Sequence, residues 1–287
     1  LGGIAMGSII DGKLVAKKYR EDIKKFIETK KEKGLRAPLL ATILVGNDGG
    51  SQYYMNNQNK LCKELGVDTK IVNLDENVEA QELLDLIENL NKDINVDGIM
   101  LQMPLPSHLD PKEITSKICP QKDVDGLTDI NTGRLYRGEK CFVPCTPKGI
   151  IDLIKSTGYE ISGKNAVVIG RSNIVGKPAA LLLLNENATV TICHSKTKDI
   201  KDICSRADIL ISAIGRPGFV DESFVKEGAV VIDVGTTMVN GKVTGDVAFE
   251  KVINKALYLT PVPGGVGSMT TTLLMKNTCE AYEENVY

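Results

Sequence analysis

The stretch Val167-Val168-Ile169-Gly170-Arg171-Ser172-Asn173-Ile174-Val175-Gly176-Lys177-Pro178 constrains the fold more than any other part of the chain. It reads as an apolar strand, a turn holding two glycines, and the start of a helix. In doubly wound α/β domains such a turn presents backbone N–H groups to the pyrophosphate of a dinucleotide. The spacing is Gly-x-Ser-x-x-x-Gly rather than Gly-x-Gly-x-x-Gly, and any tight strand-to-helix turn favours glycine. By itself the turn leaves a nucleotide site open, and the residues after it narrow the choice.

Those residues alternate between helix and strand. Pro178 to Asn187 is an apolar helical stretch, with Pro178 suited to a first turn. Ala188–Cys193, Ala207–Gly215 and Ala229–Gly235 read as strands, the last two ending at glycine. Near-continuous apolar strands separated by helices predict a parallel sheet buried on both faces. Ligands of such sheets lie beyond the carboxyl ends of the strands, so Gly170, Gly215 and Gly235, with the adjoining Thr236, mark one rim. NAD sites commonly place an acidic residue after the second strand. This chain has His194-Ser195-Lys196 there, and Arg171 and Ser172 in the first turn. A cation and a hydroxyl suit a ribose phosphate, which favours NADP over NAD, with Gly170, Arg171, Ser172 and Ser195 as contacts. The competing reading makes Arg171 and Lys196 solvated loop charges.

A length of 287 residues allows one or two domains with real cores. A net charge of −2 without a long basic run argues against a nucleic-acid partner. No stretch approaches the ~20 apolar residues of a membrane span, and no secretory signal is evident. Seven cysteines, scattered and odd in number, fit a reducing cytoplasm better than a disulfide framework. Cys141 and Cys145 have no second pair and the chain has only two histidines, so no metal site is expected. The opening residues, Leu1 to about Ser8, read as an appended segment outside the fold.

The first half repeats the α/β logic. Lys13–Lys33 is amphipathic, with Val15, Tyr19, Ile23, Phe26 and Ile27 on one stripe and Gly34 as a stop. Strands are predicted at Leu39–Val45, Thr69–Leu74 and Gly98–Met103, and helices at Gln52–Leu65 and Glu79–Asn91. Prolines interrupt the pattern at Phe142-Val143-Pro144-Cys145-Thr146-Pro147, which sets a boundary. The expected organisation is an α/β domain over 9–146, a Rossmann-like dinucleotide domain over 147–268, and a terminal helix over 269–287 that packs back on the first.

Four blocks read together resemble the methylenetetrahydrofolate dehydrogenase/cyclohydrolase family. They are Ser51-Gln52-Tyr53-Tyr54, Asp97-Gly98-Ile99-Met100-Leu101-Gln102-Met103-Pro104-Leu105-Pro106, Lys122-Asp123-Val124-Asp125-Gly126, and Thr260-Pro261-Val262-Pro263-Gly264-Gly265-Val266-Gly267. The turn Gly170–Pro178 and Pro144-Cys145-Thr146-Pro147 match as well, so the resemblance runs from about Ile9 to the C-terminus. It implies a folate cleft between two domains, a tetrahydrofolate one-carbon substrate and a homodimer. Ser51 opens the block that contains Tyr54, and Tyr54 resembles the tyrosine stacked along the folate. Gln102 resembles the glutamine beside the one-carbon unit, and Asp125 the aspartate on the pterin edge. Each makes chemical sense: a flat pterin needs an aromatic wall, and its N–H donors suit a carboxylate. Pro263, Gly264 and Gly265 would let backbone approach substrate and nicotinamide closely.

Two positions depart from the family, and one of them bears on the chemistry. Four residues after the tyrosine the family has a lysine, the main catalytic residue of the cyclohydrolase; here it is Gln58. Tyr54, Gln58, Leu61, Cys62 and Leu65 share a helical stripe. Lys60 is rotated by roughly 200° from Gln58 and lies off it. Hydride transfer needs alignment above all, whereas hydrolysis needs proton transfers that a carboxamide cannot perform. Gln58 can still hydrogen-bond, to Gln102 or to a water. A second departure is Ser268, where the family usually has proline. The expected function is therefore a dehydrogenase with weak or absent cyclohydrolase activity. The alternatives are a fully bifunctional enzyme using another acid or base, a folate- or nucleotide-binding protein without turnover, and an unrelated Rossmann dehydrogenase.

Overall fold

A computed structural model describes residues 7–286. In chain order the first elements are β1 (Ser8–Ile9), α1 (Gly12–Glu32), β2 (Leu39–Val45), α2 (Gly49–Leu65), β3 (Asp68–Leu74), α3 (Ala80–Lys92) and β4 (Gly98–Leu101). Two short helices, α4 (Pro111–Thr115) and α5 (Asp129–Arg137), precede α6 (Cys145–Ser156). Next come β5 (Asn165–Ile169), α7 (Gly176–Asn185), β6 (Thr189–Cys193), α8 (Ile200–Cys204), β7 (Ile209–Ser212) and β8 (Val230–Asp233). The chain finishes with the hairpin β9 (Thr237–Val239) and β10 (Lys242–Thr244), α9 (Phe249–Val252), β11 (Tyr258–Leu259) and α10 (Val266–Val286). The architecture is two-unit α/β. One unit holds Lys18–Val143 and Thr271–Tyr287, the other Leu1–Lys17 and Pro144–Thr270.

In the first unit three parallel strands lie in the order β3-β2-β4. The apolar run of β2 occupies the centre and is buried from Leu40 to Val45. Leu83, Ile87 and Leu90, spaced on one face of α3, pack on Ala41, Ile43, Ile99 and Leu101. Asp97 has no exposed surface, yet it is fully answered: Arg36 donates to both its oxygens at 2.6 and 2.8 Å and Leu39 N–H adds a third bond at 2.9 Å. The later turns of α10 belong to the same unit. Tyr282 is fully buried edge-on to Phe26, with the Arg36 guanidinium over its ring, and Met275 Sδ lies 3.1 Å from Cys62 Sγ.

In the second unit six strands run parallel in the order β1-β11-β8-β7-β5-β6. Strand β5 lies between β6 and β7, so the chain reverses its direction of progress across the sheet at the carboxyl ends of β5 and β7. Ligands of open α/β sheets bind at such a switch point. Residues β5, β7 and β8 are the buried strands, whereas β6 is an edge with Thr189, Thr191 and Ile192 exposed. Burial on both faces therefore fails at β6, which lies at the edge of the sheet with no further strand beside it among the described residues.

Two other expectations need correction. Ser8 is not outside the fold: β1 pairs with Tyr258–Leu259 and edges the six-stranded sheet, a two-residue pairing too short to leave a pattern. Leu1–Met6 lie outside the described residues. Strands β7 and β8 stop at Ser212 and Asp233, short of Gly215 and Gly235. Beyond them the N–H groups of Ile214 and Gly235 turn to the carboxylates of Asp246 and Asp233 instead of a neighbouring strand. Likewise β4 ends at Leu101, before Met103. Among the described residues no helix is long and apolar enough to cross a membrane.

Candidate active site

Within the first unit, the start of α2 is fixed by Asp48, whose carboxylate accepts from both the N–H and the hydroxyl of Ser51 at 2.8 Å. The Ser51 N–H bond holds the Asp48 carboxyl below its ordinary range. The buried Ser51 hydroxyl also lies 3.3 Å from the Met103 carbonyl, which ties the helix to the segment leaving β4. Tyr54 follows one turn later, half-buried. Gln58, one further turn on, is 2% exposed. Its Nε2 donates to Thr42 Oγ1 at 2.8 Å, and its Oε1 accepts from Gln102 Nε2 at 3.2 Å. Two of the residues singled out in the sequence, Gln58 and Gln102, are thus in direct contact in a buried, uncharged chain. Lys60 is exposed, on the side of α2 away from this chain.

Asp125 is half-buried in a turn whose flanks are anchored independently. On one side the Lys122 ammonium donates to the carbonyls of Leu90, Asn91 and Asp93 at 3.1, 2.8 and 2.8 Å, and burial lowers its pKa. Beside it the buried Asp123 accepts from Leu127 N–H, Thr128 N–H and Asn131 Nδ2 at 3.0, 2.8 and 2.8 Å, while burial raises its pKa. The Val124 carbonyl accepts from Asn277 Nδ2 at 2.8 Å, and Gly126 takes the left-handed φ of +65° that closes the turn. Sequence reasoning missed Thr42, Lys122, Asp123 and Asn277 as supports. Thr42 did leave a signal, as the lone polar residue inside Leu39–Val45.

In the second unit the glycine turn follows β5. A Cβ on Gly170 (φ +124°) would lie 2.5 Å from the Ala213 carbonyl oxygen, and one on Gly176 would strike the Gly170 carbonyl. Only glycine permits backbones this close. The turn nevertheless differs from the expected anion cradle. The Ser172 hydroxyl accepts from the N–H groups of Val175 and Gly176 at 3.1 and 3.3 Å, and its carbonyl takes Lys177 N–H at 3.0 Å. Those three donors are committed to the turn itself, because the longer Gly-to-Gly spacing places a serine where it can cap them. Arg171 and Ser172 are exposed, and Lys177 Nζ donates to Asn173 Oδ1 at 2.8 Å.

The loop after β6 is shaped by His194 N–H donating to Thr197 Oγ1 at 2.8 Å, which leaves Ser195 and Lys196 exposed at its tip. Gly215 has φ +64°, and its carbonyl accepts from Thr237 Oγ1 at 3.2 Å. Gly235 is buried and Thr236 exposed. Pro263 is exposed, Gly264 has φ +104°, and a Cβ on Gly265 would lie 2.5 Å from the Pro261 carbonyl. The rim therefore offers close-approach backbone together with an exposed guanidinium and hydroxyls, a donor set that fits a phosphorylated dinucleotide. A 420 Å³ cavity lies elsewhere, against Asn165, Thr189, Ile203 and Arg206, toward the amino ends of β5 and β6. It touches none of these residues and does not mark the site.

A parallel doubly wound sheet with a glycine turn at its switch point, joined in one chain to a second α/β unit, defines a two-domain protein of the dinucleotide-dependent dehydrogenase class. Residues 10–125 match the tetrahydrofolate dehydrogenase/cyclohydrolase catalytic domain, and residues 144–286 match the NAD(P)-binding domain of the same name. The chain belongs to the tetrahydrofolate dehydrogenase/cyclohydrolase family. It is 62% identical over 276 residues to the bifunctional protein FolD of Clostridium acetobutylicum, covering 96% of this chain and 99% of that one. The structure of the bifunctional FolD enzyme of Campylobacter jejuni is similar at 44% identity and a TM-score of 0.94, covering 96% of this chain and 99% of that one. The FolD of Trypanosoma brucei, solved with NADP cofactor and inhibitor, is similar at 40% identity and a TM-score of 0.94, with 98% and 99% covered.

Proposed function

We propose that this chain oxidises 5,10-methylenetetrahydrofolate to 5,10-methenyltetrahydrofolate with NADP, and that it hydrolyses the methenyl product only weakly. The bound nicotinamide would supply the hydride acceptor. Everything else falls to the chain. Arg171 and Ser195 would bind the ribose phosphate, and the backbone at Gly215, Gly235 and Thr236 would line the rim. The Tyr54 ring would form one wall for the pterin, Asp125 would accept from its N–H donors, and Gln102 would orient the one-carbon unit. The NADP complex of the Trypanosoma brucei relative supports the cofactor.

The observation that carries the reading is the chain Gln102–Gln58–Thr42, buried and without a titratable group. Such a chain holds its members rigidly, which serves alignment of a hydride donor and acceptor. It neither takes up nor releases a proton at ordinary pH, which hydration and ring opening of the methenyl cation require. A second reading, full bifunctionality, is favoured by the name of the 62% identical relative. It requires a different group to move the proton. Hydride transfer and methenyl hydrolysis measured on one preparation separate the two: accumulation of the methenyl form supports the proposal, and hydrolysis keeping pace with oxidation overturns it.

A further inference from the structure

Two buried carboxylates in the second unit do no work in the reading above. Asp246 has no exposed surface and Asp233 is 3% exposed. Asp246 accepts from the Ser212 hydroxyl at 3.0 Å, Ile214 N–H at 2.8 Å and Arg216 N–H at 2.7 Å. Asp233 accepts from Gly235 N–H, Asp246 N–H and Val247 N–H, each at 2.9 Å. All six bonds come from backbone N–H groups or one hydroxyl. The packing admits nothing larger than glycine beside the pair: a Cβ on Gly235 would strike the Asp246 backbone and carboxylate, and one on Gly245 would strike the Asp233 carboxylate.

The groups they hold are specific. Ile214 and Arg216 flank Gly215 in the loop leaving β7, the loop whose Ala213 carbonyl packs against Gly170 of the glycine turn. Gly235 is the second residue of the loop leaving β8. We propose that Asp246, itself locked by Asp233, is a positioning residue for the dinucleotide: it sets the backbone of residues 213–216 at the switch point. A carboxylate suits this task because it accepts at both oxygens, so N–H groups two residues apart can converge on one side chain. This inference rests on the proposal that the unit binds NADP.

The test compares wild type with D246N and S212A by NADP titration and steady-state kinetics, at a temperature where each protein is folded. In D246N one oxygen becomes an amino group, so either Ile214 N–H or Arg216 N–H faces a donor whichever way the amide turns. The expected result is a Kd and KM for NADP raised roughly ten- to a hundredfold, as for a misplaced binding loop. The KM for methylenetetrahydrofolate should stay near that of wild type. S212A removes one donor to the same carboxylate and should shift NADP binding in the same direction by less. If D246N fails to fold, S212A decides. Wild-type NADP affinity in the folded variants, with only thermal stability lowered, overturns the positioning role. Failure of the wild-type protein to bind NADP overturns the functional reading beneath it.

Discussion

The unit holding residues 18–143 buries a polar chain with no formal charge, Gln102–Gln58–Thr42, whereas the unit holding residues 144–270 buries the two carboxylates of Asp233 and Asp246. Each network is held together by hydrogen bonds, but the two answer different demands. Amides donate and accept at fixed ends, so they can hold a second side chain at one orientation. Carboxylates accept only, so they gather N–H groups that strand pairing has left behind. The contrast shows that burial alone does not mark a proton-transfer group. What matters is whether the buried group can titrate where substrate would reach it.

The sharpest way to break the contrast is to make the first network titratable. Gln58→Lys puts an ammonium into a site 2% exposed, and burial pushes a lysine pKa downward toward the range useful for proton exchange. Methenyl hydrolysis should rise by ~10²–10⁴-fold, while hydride transfer changes far less. No gain in a folded variant would mean that residue 58 does not limit hydrolysis. Next in size, Asp125→Ala should lower turnover of methylenetetrahydrofolate by roughly a hundredfold through lost charge-assisted hydrogen bonds. NADP affinity should remain, since Lys122, Asp123 and Asn277 hold the turn without it. A large fall in stability with normal kinetics would make Asp125 a turn former only.

In the second unit, Arg171→Ala should weaken NADP by ~1.5–3 kcal/mol and leave NAD nearly unchanged. Equal effects on both cofactors would remove the ribose phosphate from Arg171. A smaller effect concerns pH. Burial pushes the Asp233 carboxyl up to about 6 from an ordinary 3.8. The folded protein then holds this proton more tightly than the unfolded chain. Its contribution to stability is fully present below 3.8 and is lost as pH rises through about 6. A carboxyl ¹³C titration should show that midpoint, and an ordinary midpoint would deny the desolvation. The smallest expected change is Lys60→Ala, which should leave both reactions within about twofold because the side chain faces water. Loss of hydrolysis on that substitution would place the missing base at Lys60.

Much of this comparison is legible in the amino-acid sequence. Strand β2 and helix α3 announce themselves because an apolar run and a 3.6-residue period each leave an unmistakable pattern. The stripe that carries Gln58 and excludes Lys60 follows from the same geometry. The supports were less readable. Asp246 lies 30 residues after Arg216 and Asp123 five residues before Thr128, and nothing in local spacing says which acid will collect which N–H. The capping of Val175 and Gly176 by Ser172 was hidden for a related reason. A serine in a glycine turn reads equally as a ligand to phosphate or as a lid on the turn. Strand β1 went unread because two residues carry no periodicity.

The last helix has a bearing on how the protein is made. Tyr282, Met275 and Asn277 complete the unit built from residues 18–143, and Asn277 fastens the carbonyl of Val124, next to Asp125. During synthesis those partners emerge from the ribosome more than a hundred residues after the strands they join. Cys62 and Met275 are 213 positions apart in the chain. Nascent chain lacking the final helix exposes the face of Phe26 that Tyr282 will cover. The unit of residues 144–270 has all but β1 and the start of α1 supplied by one continuous stretch, so it can close first, and the turn holding Asp125 acquires its Asn277 brace only after that stretch has been made.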